Sequence, residues 1–283
     1  MLTSDKESEI LKLAYVPEQI PKLMSFLSKG KPELLDEKYL LFRDKQWLIF
    51  IGYPLRGNFD KKDIENKIKE ILKKYKPDNL WIVAEDLPEN LLKKFKTMEE
   101  DYYYKLDLKT EIDRKLIKIV EKASIKLKVR FDKIPTKYHI NLINEFLNTK
   151  NLPANIKELY IRIPEYVRKY ETAFLLSSYS KDGKLTAFYA IDMSARQFSA
   201  YLIGCYSKEN YIPYSSDLLM FELINFSEKE GKKYVNLGIG VNEGIRRFKK
   251  KWGGTPFLRY RTYEYENYSK IFDYFLSNYK IKL

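Results

Sequence analysis

The residue types and spacings best suited to chemistry lie in one run, Asn236-Leu237-Gly238-Ile239-Gly240-Val241-Asn242-Glu243-Gly244-Ile245, followed by Arg246-Arg247-Phe248-Lys249-Lys250-Lys251-Trp252-Gly253-Gly254. Gly238 and Gly240 follow a short apolar strand. Glycine there permits positive φ and lets backbone approach a ligand closely. A helix beginning near Glu243 aims unsatisfied N–H groups at the same turn, which is how chains bind anions. Ile245, Phe248 and Trp252 recur three and four apart and form one apolar face, so Arg246, Lys249 and Lys250 project elsewhere, towards solvent or a cleft. Five cations fall within residues 246–251. Like charges at helical spacing cost roughly 0.2–0.5 kcal/mol per pair. A bound anion relieves that repulsion; the plainer alternative is a solvated basic face.

A cleft of this kind needs a proton acceptor. Asp192 ends a central strand and is a candidate to face the cleft, although it serves equally to close a hairpin. Glu243 sits beside the glycine turn. Tyr206, Tyr211 and Tyr214 cluster before a helix that starts at Ser215 or Ser216, but with 24 tyrosines in the chain, packing accounts for most of them. His139 is the only histidine and Cys205 the only cysteine. His139 lies among apolar neighbours in an amphipathic stretch, which points to packing. A disulfide framework, a cysteine-based zinc site and a His-rich metal site are thereby excluded.

The elements that must hold these residues follow from periodicity. Lys38–Phe42 and Trp47–Tyr53 read as a hairpin turning at residues 43–46. Asp60 caps a helix running to about Tyr75, with Ile64, Ile68, Ile71 and Leu72 on one face. Leu80–Ala84 is a strand, Glu89–Phe95 a short helix, Tyr102–Leu108 a strand, Thr110–Ala123 a helix and Lys126–Phe131 a strand. Helices then cover about Thr136–Leu147 and Ile156–Lys169. Strands at Ala173–Tyr179 and Leu185–Asp192 meet at Asp182-Gly183, a strong hairpin signal. Phe198–Ile203 follows as a strand, Ser215–Glu230 as a helix, Tyr234–Leu237 as a strand, Glu243–Lys251 as a helix, Phe257–Tyr265 as a strand and Ser269–Asn278 as a helix. Basic and aromatic side chains alternate over Tyr260–Tyr265, which fits a paired strand better than a nucleic-acid stacking platform. The expected architecture is α/β with a mixed sheet and helices on both faces. The first half repeats the grammar of the second in shortened form, predicting two related lobes over residues 1–125 and 126–283.

The run from Asn236 to Gly254 resembles the end of FemAB-like acyltransferase domains, within the GNAT (GCN5-related N-acetyltransferase) superfamily. In these a strand ends in a glycine turn, a helix carries a Gly-apolar-x-x-Phe-Lys pattern, and an aromatic-Gly-Gly step enters a late strand. Glu228–Tyr234 and the basic stretch Lys115–Arg130 also fit. The likeness is specific over about 215–265 and suggestive over 100–215. It implies a GNAT-like fold, two such lobes in tandem, and acyl or aminoacyl transfer to an amine by direct attack. It implies that Phe248-Lys249 matches the family's Phe-Lys, with Lys249 stabilising developing negative charge; Asp192 and Glu243, by their own placement, are the candidates to handle the proton. Ser215, Ser216, Lys208, Tyr214, Gly238, Gly240, Arg246 and Phe248 are then expected around the donor.

One departure matters. The acetyl-CoA enzymes of the superfamily carry Arg/Gln-x-x-Gly-x-Gly/Ala before the phosphate-side helix. Here that place reads Cys205-Tyr206-Ser207-Lys208-Glu209-Asn210-Tyr211-Ile212-Pro213-Tyr214-Ser215-Ser216, without glycine. FemAB-like domains also lack the loop, and some take their group from aminoacyl-tRNA. The expected co-substrate is therefore acyl-CoA or aminoacyl-tRNA, with no tightly bound cofactor and no metal. The net charge of +13 suits a tRNA, and suits equally the competing reading of a non-catalytic module that binds RNA or another polyanion. The opening MLTSDKESE is acidic and polar, unlike a signal peptide, and no run reaches the ~20 apolar residues of a span. A cytoplasmic protein without integral membrane association is expected. The acceptor and the oligomeric state leave no trace in the sequence.

Overall fold

The computed structural model describes residues 2–45, 47–149, 152 and 154–266. The elements run α1 (Ser4–Leu13), a 3-10 turn, α2 (Pro21–Ser28), β1 (Lys31–Leu35), β2 (Tyr39–Arg43), β3 (Trp47–Ile51), α3 (Lys61–Tyr75), β4 (Asn79–Ala84), α4 (Glu89–Leu92), β5 (Lys96–Asp107), α5 (Arg114–Ser124) and β6 (Leu127–Asp132). They continue as α6 (Lys137–Thr149), α7 (Ala154–Lys169), β7 (Ala173–Ser180), β8 (Leu185–Asp192), β9 (Phe198–Tyr206), α8 (Ser215–Lys229), β10 (Tyr234–Ile239), α9 (Glu243–Lys251) and β11 (Thr255–Glu266). The elements expected from periodicity are present within a few residues, apart from the helix expected at Ser269–Asn278, which lies outside the described residues. Four elements before Tyr39 were not foreseen.

The chain forms two compact units. The first comprises the chain up to Glu7, Met24–Tyr102 and Leu258 onwards; the second comprises Ser8–Leu23 and Tyr103–Phe257. In the first, β1, β2 and β3 form an antiparallel meander, and α3 crosses over to bring β4 parallel to β3. Asp60 caps α3 by accepting from the amides of Lys62 and Asp63, and Ile64, Ile68 and Ile71 are buried. β11 then pairs antiparallel with β4, from Arg261↔Ala84 to Glu266↔Asn79.

The second unit repeats this plan. β6, β7, β8 and β9 are antiparallel neighbours, and α8 crosses over to bring β10 parallel to β9. The end of β5 closes the unit antiparallel to β10, with Tyr234↔Asp107 and Asn236↔Lys105. Its core gathers Leu116, Val120, Leu176, Tyr189, Leu219, Leu223, Val235 and Trp252.

Strand pairing therefore divides the chain differently from the expected boundary at 125/126. Residues 103–125 go with the second unit, because β5 ends beside β10 and α5 packs into that unit's core. The chain after Leu258 goes with the first unit, because β11 pairs with β4.

Candidate active site at the parting of two parallel strands

In open α/β sheets ligands bind outside the carboxyl ends of parallel strands, where neighbouring chain directions diverge. Among the described residues each unit has one parallel pair, and the two pairs differ. In the first unit β3 and β4 stay paired from Trp47↔Asn79 to Ile51↔Val83, and the Gly52 amide extends the ladder to the Val83 carbonyl at 2.8 Å. A Cβ on Gly52 would lie 2.8 Å from that of Ala84, so this pair is closed along its length.

In the second unit β9 and β10 pair only over Tyr234↔Phe198, Val235↔Ser199 and Asn236↔Ala200. Beyond that point β9 continues to Tyr206 and β10 to Ile239 with no further pairing to each other among the described residues. Both strands carry irregularities at the parting. β9 shifts register against β8 between Ile191↔Tyr201 and Ala190↔Ile203, which leaves Leu202 as the extra residue of a bulge. β10 shifts against β5 between Asn236 and Ile239. Bulges bend strands and raise local twist, so the two together turn β9 and β10 away from each other beyond Asn236↔Ala200.

Asn236, fully buried, holds the β10 irregularity. Its Oδ1 accepts from the Gly238 amide at 2.9 Å and its Nδ2 donates to the Tyr15 carbonyl at 3.2 Å. Gly238 takes φ +71°, as expected of the first glycine of the turn. Gly240 does not take positive φ. Val241 does so instead, at +59°, inside a three-residue turn closed by the Asn242 amide on the Gly240 carbonyl at 2.7 Å. A β-branched residue is strained in that region. Asn242 follows as the N-cap of α9, accepting from the Ile245 amide at 3.0 Å. Glu243, the first residue of α9, is exposed.

Lys249 leaves the solvated face and turns inward. It is 4% exposed, and its Nζ donates to the Ile239 carbonyl at 2.6 Å, with the Tyr104 ring centroid 5.6 Å away. A cation thus sits at the carboxyl end of β10, past the point where β10 has left β9. Lys251 is bound differently, by an ion pair at 2.5 Å to Asp217, which also accepts from Trp252 Nε1 at 2.9 Å. Phe248 packs half-buried against the core, Arg246 is half-buried, and Arg247 and Lys250 are exposed.

The remaining expected residues are placed as follows. Asp192 is fully buried and accepts from Tyr166 Oη at 2.6 Å, Thr172 Oγ1 at 3.4 Å, the Ser194 amide at 2.7 Å and Ser194 Oγ. Its oxygens are committed to holding the β8–β9 turn against α7, which corrects the expectation that it faces the cleft. α8 begins at Ser215, but no serine side chain caps it. Tyr214 occupies the N-cap in the left-handed region, and Ser215 Oγ donates back to the Ile212 carbonyl at 2.7 Å. The Ser216 carbonyl accepts from Tyr189 Oη at 2.8 Å. Tyr206, Tyr211 and Tyr214 are exposed, as is Lys208.

Tyr201, Gly204, Asn236 and Glu145 were not foreseen at the site. The Tyr201 ring lies edge-on to Tyr189, with centroids 4.9 Å apart, and burial pushes its hydroxyl pKa well above the ordinary value. A Cβ on Gly204 would fall 2.1 Å from Tyr201 Oη and 2.9 Å from the Tyr189 ring, so any larger residue there would displace the Tyr201 ring. His139 packs, as expected. It is fully buried, with Nε2 at 2.9 Å from Ser177 Oγ. Among the described residues no group of side chains could hold a metal ion, and no helix is long and apolar enough to cross a membrane.

No protein-family model and no curated protein sequence matches the chain. Solved structures do. FemX is similar over 96% of this chain and 98% of its own, with TM-score 0.65 at 11% identity. L-PGS from Bacillus licheniformis is similar over 85% of each chain, with TM-score 0.54 at 16% identity. A tandem GNAT protein from the clavulanic acid biosynthesis pathway is similar over 93% of this chain and 94% of its own, with TM-score 0.54 at 12% identity. At these identities the likeness is one of fold, and the fold is the mixed α/β, GNAT-like one that the run from Asn236 to Gly254 implied.

Proposed function

We propose that the chain is an acyltransferase, and that it moves an acyl or aminoacyl group from a thioester such as acyl-CoA, or from aminoacyl-tRNA, to an amine in the β9–β10 crevice. The observation that carries this reading is the buried Lys249 ammonium fixed at the open end of β10. A cation placed in advance where an oxyanion develops can lower a barrier by about 3–4 kcal/mol. The amine attacks the donor carbonyl, a C–N bond forms, and the oxyanion collects beside Lys249. Collapse then breaks the C–S or C–O bond to the leaving group, which takes up the proton lost by the amine. Glu243, exposed beside the turn, is the carboxylate available to relay that proton. Asp192 positions the β8–β9 turn and takes no part in the relay.

The fold shared with FemX, L-PGS and GNAT proteins supports a transferase, as does the contrast between the open β9–β10 pair and the closed β3–β4 pair. The donor's reactive end enters past Gly238 and Tyr214, with Phe248 and Arg246 on the α9 side and Ser215, Ser216 and Lys208 on the α8 side; a tRNA donor would use the basic surface. The test is transfer of radiolabelled acyl or aminoacyl groups to an amine panel by wild type and Lys249→Ala. Loss of transfer with an unchanged circular dichroism spectrum supports the reading, and wild-type turnover in the variant removes it.

A further inference from the structure

Consecutive backbone amides at a strand-to-helix junction form a concavity that takes anions, and the start of the helix adds its dipole. The β9–α8 junction has this form and lies directly beyond the carboxyl end of β9. In this chain it is already filled from within. Glu145, on α6, places one carboxylate oxygen on the amide of Lys208 and, at 3.4 Å, on that of Glu209; its other oxygen accepts from Ser207 Oγ at 2.9 Å. The Asn210 amide is spent on Ser207 Oγ at 2.9 Å. In the first turn of α8, Asp217 is buried and held by Lys251 and Trp252. The Glu145 carboxylate thus occupies the amides where a donor's phosphate would be received, and it repels a further anion.

We infer that Glu145 determines donor specificity: it is an internal substitute for phosphate that closes the β9–α8 junction to diphosphate-bearing donors. This rests on the transferase reading and narrows it. The group transferred arrives on a carrier with no diphosphate at this junction, as an ester such as an aminoacyl ester, and not as a coenzyme A thioester. The energetic logic is direct. A diphosphate would have to displace a carboxylate that already satisfies three donors, and would leave that carboxylate beside it without them.

The test uses the full chain and coenzyme A as the probe, with inorganic pyrophosphate as a second probe, followed by titration calorimetry. Wild type is expected to give no binding at millimolar coenzyme A, while Glu145→Ala, which vacates the junction, binds at least tenfold more tightly than wild type. Glu145→Gln removes the charge but fills the space and falls between them. Equal affinity in wild type and Glu145→Ala overturns the inference, as does a Glu145→Ala variant that melts as wild type does and still fails to bind. Transfer assays separate this from the parent reading. Wild-type transfer from acyl-CoA as fast as from an aminoacyl ester sinks the inference and leaves the transferase standing. Absence of transfer from either donor, with coenzyme A binding gained in Glu145→Ala, leaves Glu145 as the group that closes the junction to diphosphates and removes the transferase, and with it the donor role.

Discussion

The Lys249 ammonium donates to the Ile239 carbonyl at 2.6 Å, across the ten residues that separate the end of β10 from the last turn of α9. This bond ties the end of β10 to the helix that follows it. It also explains why a lysine in a run of five cations is buried. The Gly240–Asn242 turn is tight enough, through Val241 at φ +59°, to fold α9 back onto the strand it has just left.

Replacing Lys249 by Met keeps the aliphatic stem and removes the charge. Loss of one preorganised oxyanion partner costs roughly 10²–10³ in turnover. The expected signature is a fall in kcat of that order with KM little changed, read by steady-state transfer kinetics. A rise in KM alone would mean that Lys249 only binds substrate.

Asn236→Ala should disturb the site through its shape. The Gly238 amide and the Tyr15 carbonyl lose their partner in a fully buried place, and each unsatisfied group costs about 1–3 kcal/mol. Urea denaturation is expected to show a loss in that range, and the surviving folded protein should transfer more slowly. Asn236→Asp keeps the acceptor for Gly238 but sets a buried carboxylate oxygen against the Tyr15 carbonyl, so it should be at least as destabilising as alanine. An alanine variant as stable as wild type would show that the β10 irregularity needs no such clamp.

The features that could be read from the sequence are those whose causes are local. α3 announces itself through Asp60 and the spacing of Ile64, Ile68 and Ile71, and α9 through Gly238 and the three-and-four spacing up to Trp252, because cap and periodicity lie within a few residues. Asn236 was within the recognised run, yet its role depends on Tyr15, 221 residues away. Asp192 was misplaced for the same reason, since burial at Tyr166 and Thr172 comes from packing against α7. Glu145 gives no local signal at all, because the amides it serves lie 63 and 64 residues later. The boundary between units was missed because each unit is closed by a strand, β5 or β11, whose partners lie in the other part of the chain. Val241 was missed because its strain violates the propensity that sequence reading relies on.

Gly254 is required by contact. A Cβ there would stand 2.8 Å from both Leu237 Cδ1 and the Lys249 carbonyl oxygen, and the Gly254 amide donates to that same carbonyl at 2.8 Å. Backbone cannot yield as a flexible side chain does, so Gly254→Ala should cost about 1–3 kcal/mol and displace the end of α9. The expected outcome is a lower urea midpoint together with reduced transfer. The same substitution at Gly183, where nothing lies within 4 Å but φ is +82°, should lower stability without touching transfer, which makes it the control.

The single histidine gives a pH dependence whose sign can be worked out. The Thr136 amide donates to His139 Nδ1 at 3.1 Å, so that nitrogen is unprotonated and Nε2 carries the proton facing Ser177 Oγ. Burial lowers the pKa below its ordinary value, and Asp132 at 3.8 Å opposes this only in part. In the unfolded chain the imidazole titrates near about 6.5. As pH falls through that value the unfolded state takes up a proton that the folded state refuses. Stability therefore declines, by at most about 1.4 kcal/mol per pH unit, until the folded pKa is reached. Above about 6.5 both states are neutral and the effect vanishes. Half-buried carboxyls such as Glu85, Glu99 and Glu222, whose pKa values desolvation raises, contribute with the opposite sign but are common to wild type and variant. His139→Gln, compared with wild type by urea denaturation between about pH 5 and pH 8, isolates the histidine. Wild type should lose stability more steeply than the variant as pH drops below about 6.5, and parallel curves would show that His139 is protonated equally in both states.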